Sequence, residues 1–197
     1  MNLLGGGSVA RIHDDQGNTI FSSIFQGLSD YYTSQGVDSA VFRNDVDTQT
    51  LDGVDLLVVG LPSFFFTADE SAAMREFVQS GGNIIFLGEV NNALMSNWYI
   101  NSALSQVGST LRIVNQSDFD GGGGFTTITG PQITDDPFTR GVDSFSYAFS
   151  SQVTAPDGTG LFYGEDGELF LAYQTIPAPA SAAMIPFAFA VCTRRRR

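Results

Sequence analysis

Between residues 17 and 35, Ile20, Phe21, Ile24, Phe25, Leu28, Tyr31 and Tyr32 recur at i, i+4 and i+8, with partners one residue on. This spacing predicts an amphipathic helix, and Gly36 stands where a left-handed C-cap would close it. Val37 to Phe42 is a short β-type run. Asp55 to Val59 (Asp-Leu-Leu-Val-Val) is continuously apolar after its first residue, as in a strand covered on both faces. Thr67 and Glu70 have the spacing of a capping box. They precede a helix whose inner face is Met74, Phe77 and Val78 and whose stop is Gly81-Gly82. Asn83 to Leu87 (Asn-Ile-Ile-Phe-Leu) is a second strand of the buried type. A third helix is expected over Asn92 to Val107, with Leu94, Trp98, Leu104 and Val107 inward, and a further strand over Thr110 to Val114. At the start, Asn2 to Ser8 reads as the end of a first strand running into a glycine loop. The alternation predicts a three-layer α/β fold on a parallel sheet. The strands at 55–59 and 83–87 should be parallel neighbours joined through the Thr67 helix.

The second half changes character. Asp118 to Gly124 is a glycine-rich loop, and Gly160–Tyr163 and Glu168–Tyr173 flank a turn at Glu165-Asp166-Gly167. These predict a hairpin and antiparallel additions to the sheet. Ile176-Pro177-Ala178-Pro179 breaks regular structure, which divides the chain into a body, 1–175, and a tail, 176–197.

A chain of 197 residues with 43% hydrophobic and 12% aromatic content can bury one real core. The formal charge of −12 conceals a split: Arg194, Arg195, Arg196 and Arg197 close the chain, Lys is absent, and residues 1–193 carry a net −16. Such a body repels phosphate backbones, so nucleic acid is not an expected partner. The acidity suits a saline or calcium-containing exterior, and compositional drift would produce it equally well. The single cysteine, Cys192, lies in the tail and leaves no intrachain disulfide and no cysteine-based zinc site. Met1 to Val9 does not read as a secretory leader, so an exported form would need one ahead of Met1.

The stretch from Asp55 to Glu89 carries a resemblance. Asp-Leu-Leu-Val-Val-Gly-Leu-Pro, a phenylalanine-rich loop, a capped helix ending Phe77-Val78-Gln79-Ser80-Gly81-Gly82, and Asn-Ile-Ile-Phe-Leu-Gly-Glu resemble the class I glutamine amidotransferase-like superfamily. That resemblance implies a flavodoxin-like sheet over roughly residues 1 to 115. Active members place a cysteine on the turn after this last strand and a histidine further along. Here the turn is Gly88-Glu89-Val90-Asn91 and the only histidine is His13, upstream. No Gly-x-Ser-x-Gly elbow is present either. The family's catalytic residues therefore find no counterparts, and the body is expected to be non-catalytic and without a cofactor.

Ligands of open α/β sheets bind beyond the carboxyl ends of the strands. Glu89 falls at such an end, and His13 with Asp14 could share the rim. A histidine–carboxylate pair could do acid–base work or hold a metal. Equally, Glu89 could cap a loop or the next helix, and His13 could be an exposed loop residue. No metal site is expected. Gly5-Gly6-Gly7-Ser8 could cradle a phosphate on backbone N–H groups or be a tight turn. The Asp118–Gly121 and Asp157–Gly160 stretches suit turns better than calcium. Phe64-Phe65-Phe66 is either core cover or an exposed adhesive loop.

The tail has a second resemblance. Pro177-Ala178-Pro179, an uncharged and mostly apolar run from Ala180 to Thr193, and the terminal Arg194–Arg197 cluster resemble the PEP-CTERM sorting signal. Ala178 stands where that family usually has Glu, and Pro186 interrupts the run. The resemblance implies export, membrane engagement, recognition by an exosortase-type sorting protease near Pro177 and Pro179, and display at the cell surface. It associates the body with extracellular polysaccharide matrix. The arginines would stay cytoplasmic under the positive-inside rule. About 20 residues are needed to span a bilayer as a helix, so the span closes only by counting back to Ile176. A buried C-terminal strand with a basic end is the competing reading; the sorting reading expects residues beyond Pro177 to project from the domain. For the body, the alternatives to a non-catalytic surface protein are a hydrolase or a small-ligand or sugar-binding module at the Glu89 rim.

Overall fold

A computed structural model describes residues 4, 6–15, 19–88, 94–114, 125–148 and 150–178. Four parallel strands form the central sheet: β1 (Val9–His13), β2 (Asp38–Phe42), β3 (Leu56–Gly60) and β4 (Asn83–Leu87). Their order is β2-β1-β3-β4. Helix α1 (Thr19–Ser34) links β1 to β2, α2 (Ala68–Gln79) links β3 to β4, and α3 (Leu94–Gln106) follows β4. The architecture is a flavodoxin-like three-layer α/β fold with antiparallel strand pairs in its C-terminal half. The expected parallel pairing of the two apolar runs is present, with Leu57 opposite Ile84 and Val59 opposite Phe86.

β3 is buried along its whole length, and alternation sends its side chains to two cores. Leu57 and Val59 join Val46, Met74, Phe77, Ala103 and Val107, the layer of α2 and α3. Leu56 and Val58 join Ala10, Ile12 and Phe25, the layer of α1. The capping box is formed: Glu70 N–H donates to Thr67 Oγ1 at 3.2 Å, and Thr67 N–H donates to Glu70 Oε2 at 2.8 Å. Glu70 Oε1 also accepts from Val46 N–H, which ties the cap to the loop after β2. Gly36 closes α1 at φ +81° and Gly81 follows α2 at φ +102°, conformations that side chains with a Cβ disfavour.

Four sequence expectations are corrected. Gly6 and Gly7 precede β1, the first described strand, instead of following it; Asn2, Leu3 and Gly5 lie outside the described residues. Ser8 and Val9 N–H groups donate to Asp55 Oδ2, and a Cβ on Gly7 would lie 2.2 Å from Asp55 Cγ. Glycine is therefore needed for close approach to the loop before β3. That end of the sheet is opposite to the strand carboxyl ends, which argues against a phosphate cradle. On α1 the inner stripe is narrower than expected: Phe25 is buried and Leu28 and Tyr32 are half-buried, while Ile24 and Tyr31 face solvent. On α3 the inner face is Asn97, Ile100, Ala103 and Val107, and Trp98 is exposed.

The fourth correction concerns residues 110–114. Only β5 (Arg112–Ile113) forms there, and it pairs antiparallel with β8 (Val153–Thr154), not with the parallel sheet. Asn101 of α3 explains this. Its side-chain amide accepts from Ile113 N–H at 2.8 Å and donates to Ile113 C=O at 2.9 Å, taking the backbone groups that a neighbouring strand would use. The rest of this half is β6 (Thr126–Thr129) paired with β7 (Ser144–Tyr147), and the expected hairpin of β9 (Thr159–Tyr163) and β10 (Leu169–Tyr173). Asp157-Gly158 forms the turn into β9. Ile128, Tyr147, Leu161, Phe162 and Phe170 make a third core beneath these strands.

Candidate functional site

β1 runs through α1 to β2 on one side, and β3 runs through α2 to β4 on the other, so the connection reverses between β1 and β3. The crevice beyond the carboxyl ends of these two strands is the topological switch point, where ligands of open α/β sheets bind. Three consecutive polar residues of β1 and its exit enter it: His13, Asp14 and Asp15. From the β3 side come Leu61 to Phe66.

Asp14 is wholly buried. Its Oδ2 accepts from Ser22 Oγ at 2.7 Å and from Arg43 Nε and Nη2, each at 3.2 Å. Among the described residues its Oδ1 has no hydrogen-bond partner. Asp15 bridges the crevice: its Oδ2 accepts from Ser63 N–H at 2.7 Å, and its Oδ1 is likewise buried and, among the described residues, without a partner. Burial raises the Asp15 pKa above its ordinary value, against the opposing pull of the Ser63 N–H. The chain reaches Ser63 through Leu61, whose φ of +43° is a backbone conformation rare outside glycine. Such strain is characteristic of functional segments. The two partnerless oxygens are acceptors in a place that costs free energy unless a donor fills it.

His13 is 5% exposed, packed between the rings of Phe42 and Phe66 at centroid distances of 5.0 and 6.0 Å. It is not the exposed loop residue of one sequence reading. Burial lowers its pKa, while Asp15, Glu70, a backbone hydrogen bond at Asn44, and Asp14 pull the other way. Its proposed partner Glu89 lies outside the described residues, as do Pro179 and Arg194–Arg197; Pro177 is exposed. Among the described residues no three of His, Cys, Asp and Glu are placed to hold one metal ion.

His13 makes a pH dependence predictable. A lowered folded-state pKa means that protonation opposes folding. The contribution to stability is full above 6.5, the ordinary imidazole value, and is lost as pH falls through the folded value. Asp15 works in reverse: its contribution is present in acid and lost as pH rises from 3.8 through its raised folded value. His13→Gln should therefore flatten the fall in stability below pH 6.5, by at most about 1.4 kcal/mol per pH unit for one proton. Urea midpoints measured from pH 7.5 to 5 test this, and identical slopes in both proteins would refute it.

The sequence offered Phe64-Phe65-Phe66 as core cover or an exposed loop, but not the aromatic surface that Phe65 forms with Trp98 and Tyr99. Phe64 and Phe65, directly after Ser63, are 75% and 45% exposed, and Trp98 of α3 is 52% exposed. Phe65 meets Trp98 and Tyr99 edge-on at 4.9 and 4.6 Å, and the Trp98 and Tyr99 rings lie nearly parallel, 20° apart. Of the phenylalanine triplet only Phe66 is core. The rim thus joins carboxylate acceptors to an exposed aromatic surface.

No protein-family model matches the chain, and no curated protein matches it. Among solved structures it is similar to the N-terminal domain of mmIFT52, with a TM-score of 0.65 and 15% identity over 86% of this chain and 81% of that one. It is also similar to a Thermoplasma acidophilum protein assigned as a GMP synthase subunit, with a TM-score of 0.52 and 14% identity over 87% and 80%. At these identities the likeness is one of fold.

Proposed function

We propose that the body is a non-catalytic, amidotransferase-like carbohydrate-binding module, carried to the cell surface by the C-terminal tail. The observation that supports the binding reading is the exposed Phe65–Trp98–Tyr99 cluster, whose Phe65 follows two residues after Ser63, the backbone donor to Asp15. Sugar rings offer apolar C–H faces to aromatic surfaces and hydroxyl donors to carboxylates, and ligand sites combine apolar walls with a few placed polar groups. Catalysis is disfavoured by chemistry: His13 is enclosed by two phenylalanine rings, and the chain's only thiol is Cys192. A nucleophile without an activating base is weak.

Surface display rests on the Pro177-Ala178-Pro179, apolar and tetra-arginine order of the tail. Among the described residues no helix is long and apolar enough to cross a membrane.

Trp98 is the only tryptophan, so the full chain carries its own reporter. Titration with soluble neutral and acidic oligosaccharides should shift its emission saturably for at least one glycan. Asp15→Ala and Phe65→Ala should each weaken that binding about tenfold, the order of 1–2 kcal/mol for a lost hydrogen bond or aromatic contact. Absence of saturable binding to every glycan, or binding untouched by both substitutions, would overturn the binding reading. Display is tested separately, in an exosortase-bearing bacterium with a leader supplied. Replacing Arg194–Arg197 by Gln should move the protein off the envelope, and an unchanged distribution would overturn sorting.

A further inference from the structure

β3 is buried along its whole length, but Asn83 to Phe86 of β4 are only half-buried. These four residues border a cleft of about 450 Å³. Phe86, Ile100 and Leu104 wall it from the parallel half, and Val153, Leu161 and Leu171 from the antiparallel half. Its size and apolar walls are those of a small-molecule site, in which a few placed polar groups fix the ligand.

Two such groups are present. Arg112, half-buried on β5, lines the cleft. Its Nη1 donates to Ser109 C=O at 2.8 Å and to Leu111 C=O. These bonds position the guanidinium and leave its charge unbalanced. In a chain with 21 Asp and Glu, Arg112 has no carboxylate partner among the described residues, whose ion pairs are Arg11–Asp38 and Arg43–Asp14. Gln174 lines the same cleft. Its Oε1 accepts from Ser109 Oγ and Thr110 N–H, each at 2.8 Å. With the carbonyl so engaged, the Nε2 donor of Gln174 has no partner among the described residues. Both side chains are thus fixed to Ser109, itself buried and part of the lining. The cleft combines apolar walls with one corner of donors.

That corner sets the ligand's charge. The planar fork of an arginine matches a carboxylate. One cation offsets one negative charge, and a doubly charged head would leave the excess uncompensated in a body of net −16. Walls of Phe, Ile, Leu and Val call for hydrocarbon and offer a hydroxylated ligand few partners. We infer that the cleft binds an amphipathic monocarboxylate of the fatty-acid class. Its head meets Arg112 and Gln174, and its chain lies along Phe86, Leu104 and Leu171. The site shares no residue with the Phe65–Trp98–Tyr99 surface, so it goes beyond the glycan reading and is tested apart from it.

The test is calorimetric titration of the full chain with decanoate, below its micelle concentration and at neutral pH, beside the uncharged 1-decanol. Decanoate should bind saturably, one molecule per chain, and decanol at least tenfold more weakly. Arg112→Gln should weaken decanoate at least tenfold, as expected for a lost charged hydrogen bond, and leave decanol unchanged. Arg112→Lys should recover part of the loss. Decanoate should shift the methyl resonances of Leu104 and Leu171 and not those of Ile12, in the α1 layer. If circular dichroism shows Arg112→Gln unfolded, the comparison of acid with alcohol on the native chain and on Arg112→Lys decides. Absence of saturable decanoate binding, equal affinity for acid and alcohol, or resonance shifts confined to residues outside the cleft would overturn the inference.

Discussion

Leu57→Ala should lower the free energy of unfolding by about 2–5 kcal/mol, the range for truncating a buried leucine. Leu57 is fully buried on the central strand β3, in one cluster with Met74, Phe77 and Val107. The substitution loses the transfer free energy of the removed carbons and leaves a void. Walls made by a β-strand and two helices can close such a void only in part. The expected signature in urea is a lower midpoint at unchanged m-value. A loss under about 1 kcal/mol would mean that the α2–α3 layer does not cover this face of the sheet.

Phe162→Ala should be at least as severe, about 3–5 kcal/mol. Phe162 is fully buried in β9, with ring centroids 4.6 Å from Phe145 and 6.0 Å from Phe170. No backbone ladder joins β9 and β10 to the parallel sheet among the described residues, and the core around Phe162 is built from the antiparallel half alone. Trp98 lies beside the parallel half and reports on it separately. Its fluorescence and far-UV circular dichroism should follow one transition in both variants, as for a single cooperative unit. If Phe162→Ala splits the transition, the two halves unfold as independent units.

The legible parts of this fold were those governed by local periodicity. Asn83–Leu87 has the bounds expected of it, and the Thr67–Glu70 box forms with both of its hydrogen bonds. The order of β1 and its glycines was not legible, because what decides it is Asp55, 46 residues away from Val9. The separation of β5 from the sheet was hidden for the same reason: Asn101 reads as one polar helix residue until its amide is seen occupying the backbone of Ile113. At the candidate site the strand-end rule placed His13 and Asp14 at the rim. It could not reveal that His13 is enclosed or that Asp15 reaches across to Ser63. Phe65, Trp98 and Tyr99 come from two elements whose meeting no spacing encodes.

The place of β4 at the end of the parallel sheet, paired with β3 alone among the described residues, also bears on how the protein is made. A ribosome delivers residues 9–87 first, and domains generally fold as they emerge. The four-stranded sheet can close while the strands that wall its open side, Val153 to Tyr173, are still unsynthesised. During that interval Ile84, Ile85 and Phe86 form an uncovered apolar border of the type that recruits other chains. At about 5–20 residues per second, the nearly 90 residues from Leu87 to Tyr173 keep that border open for several seconds or more. The nascent chain therefore has its period of greatest exposure to aggregation, and its greatest claim on chaperones, between the completion of β4 and the arrival of β10.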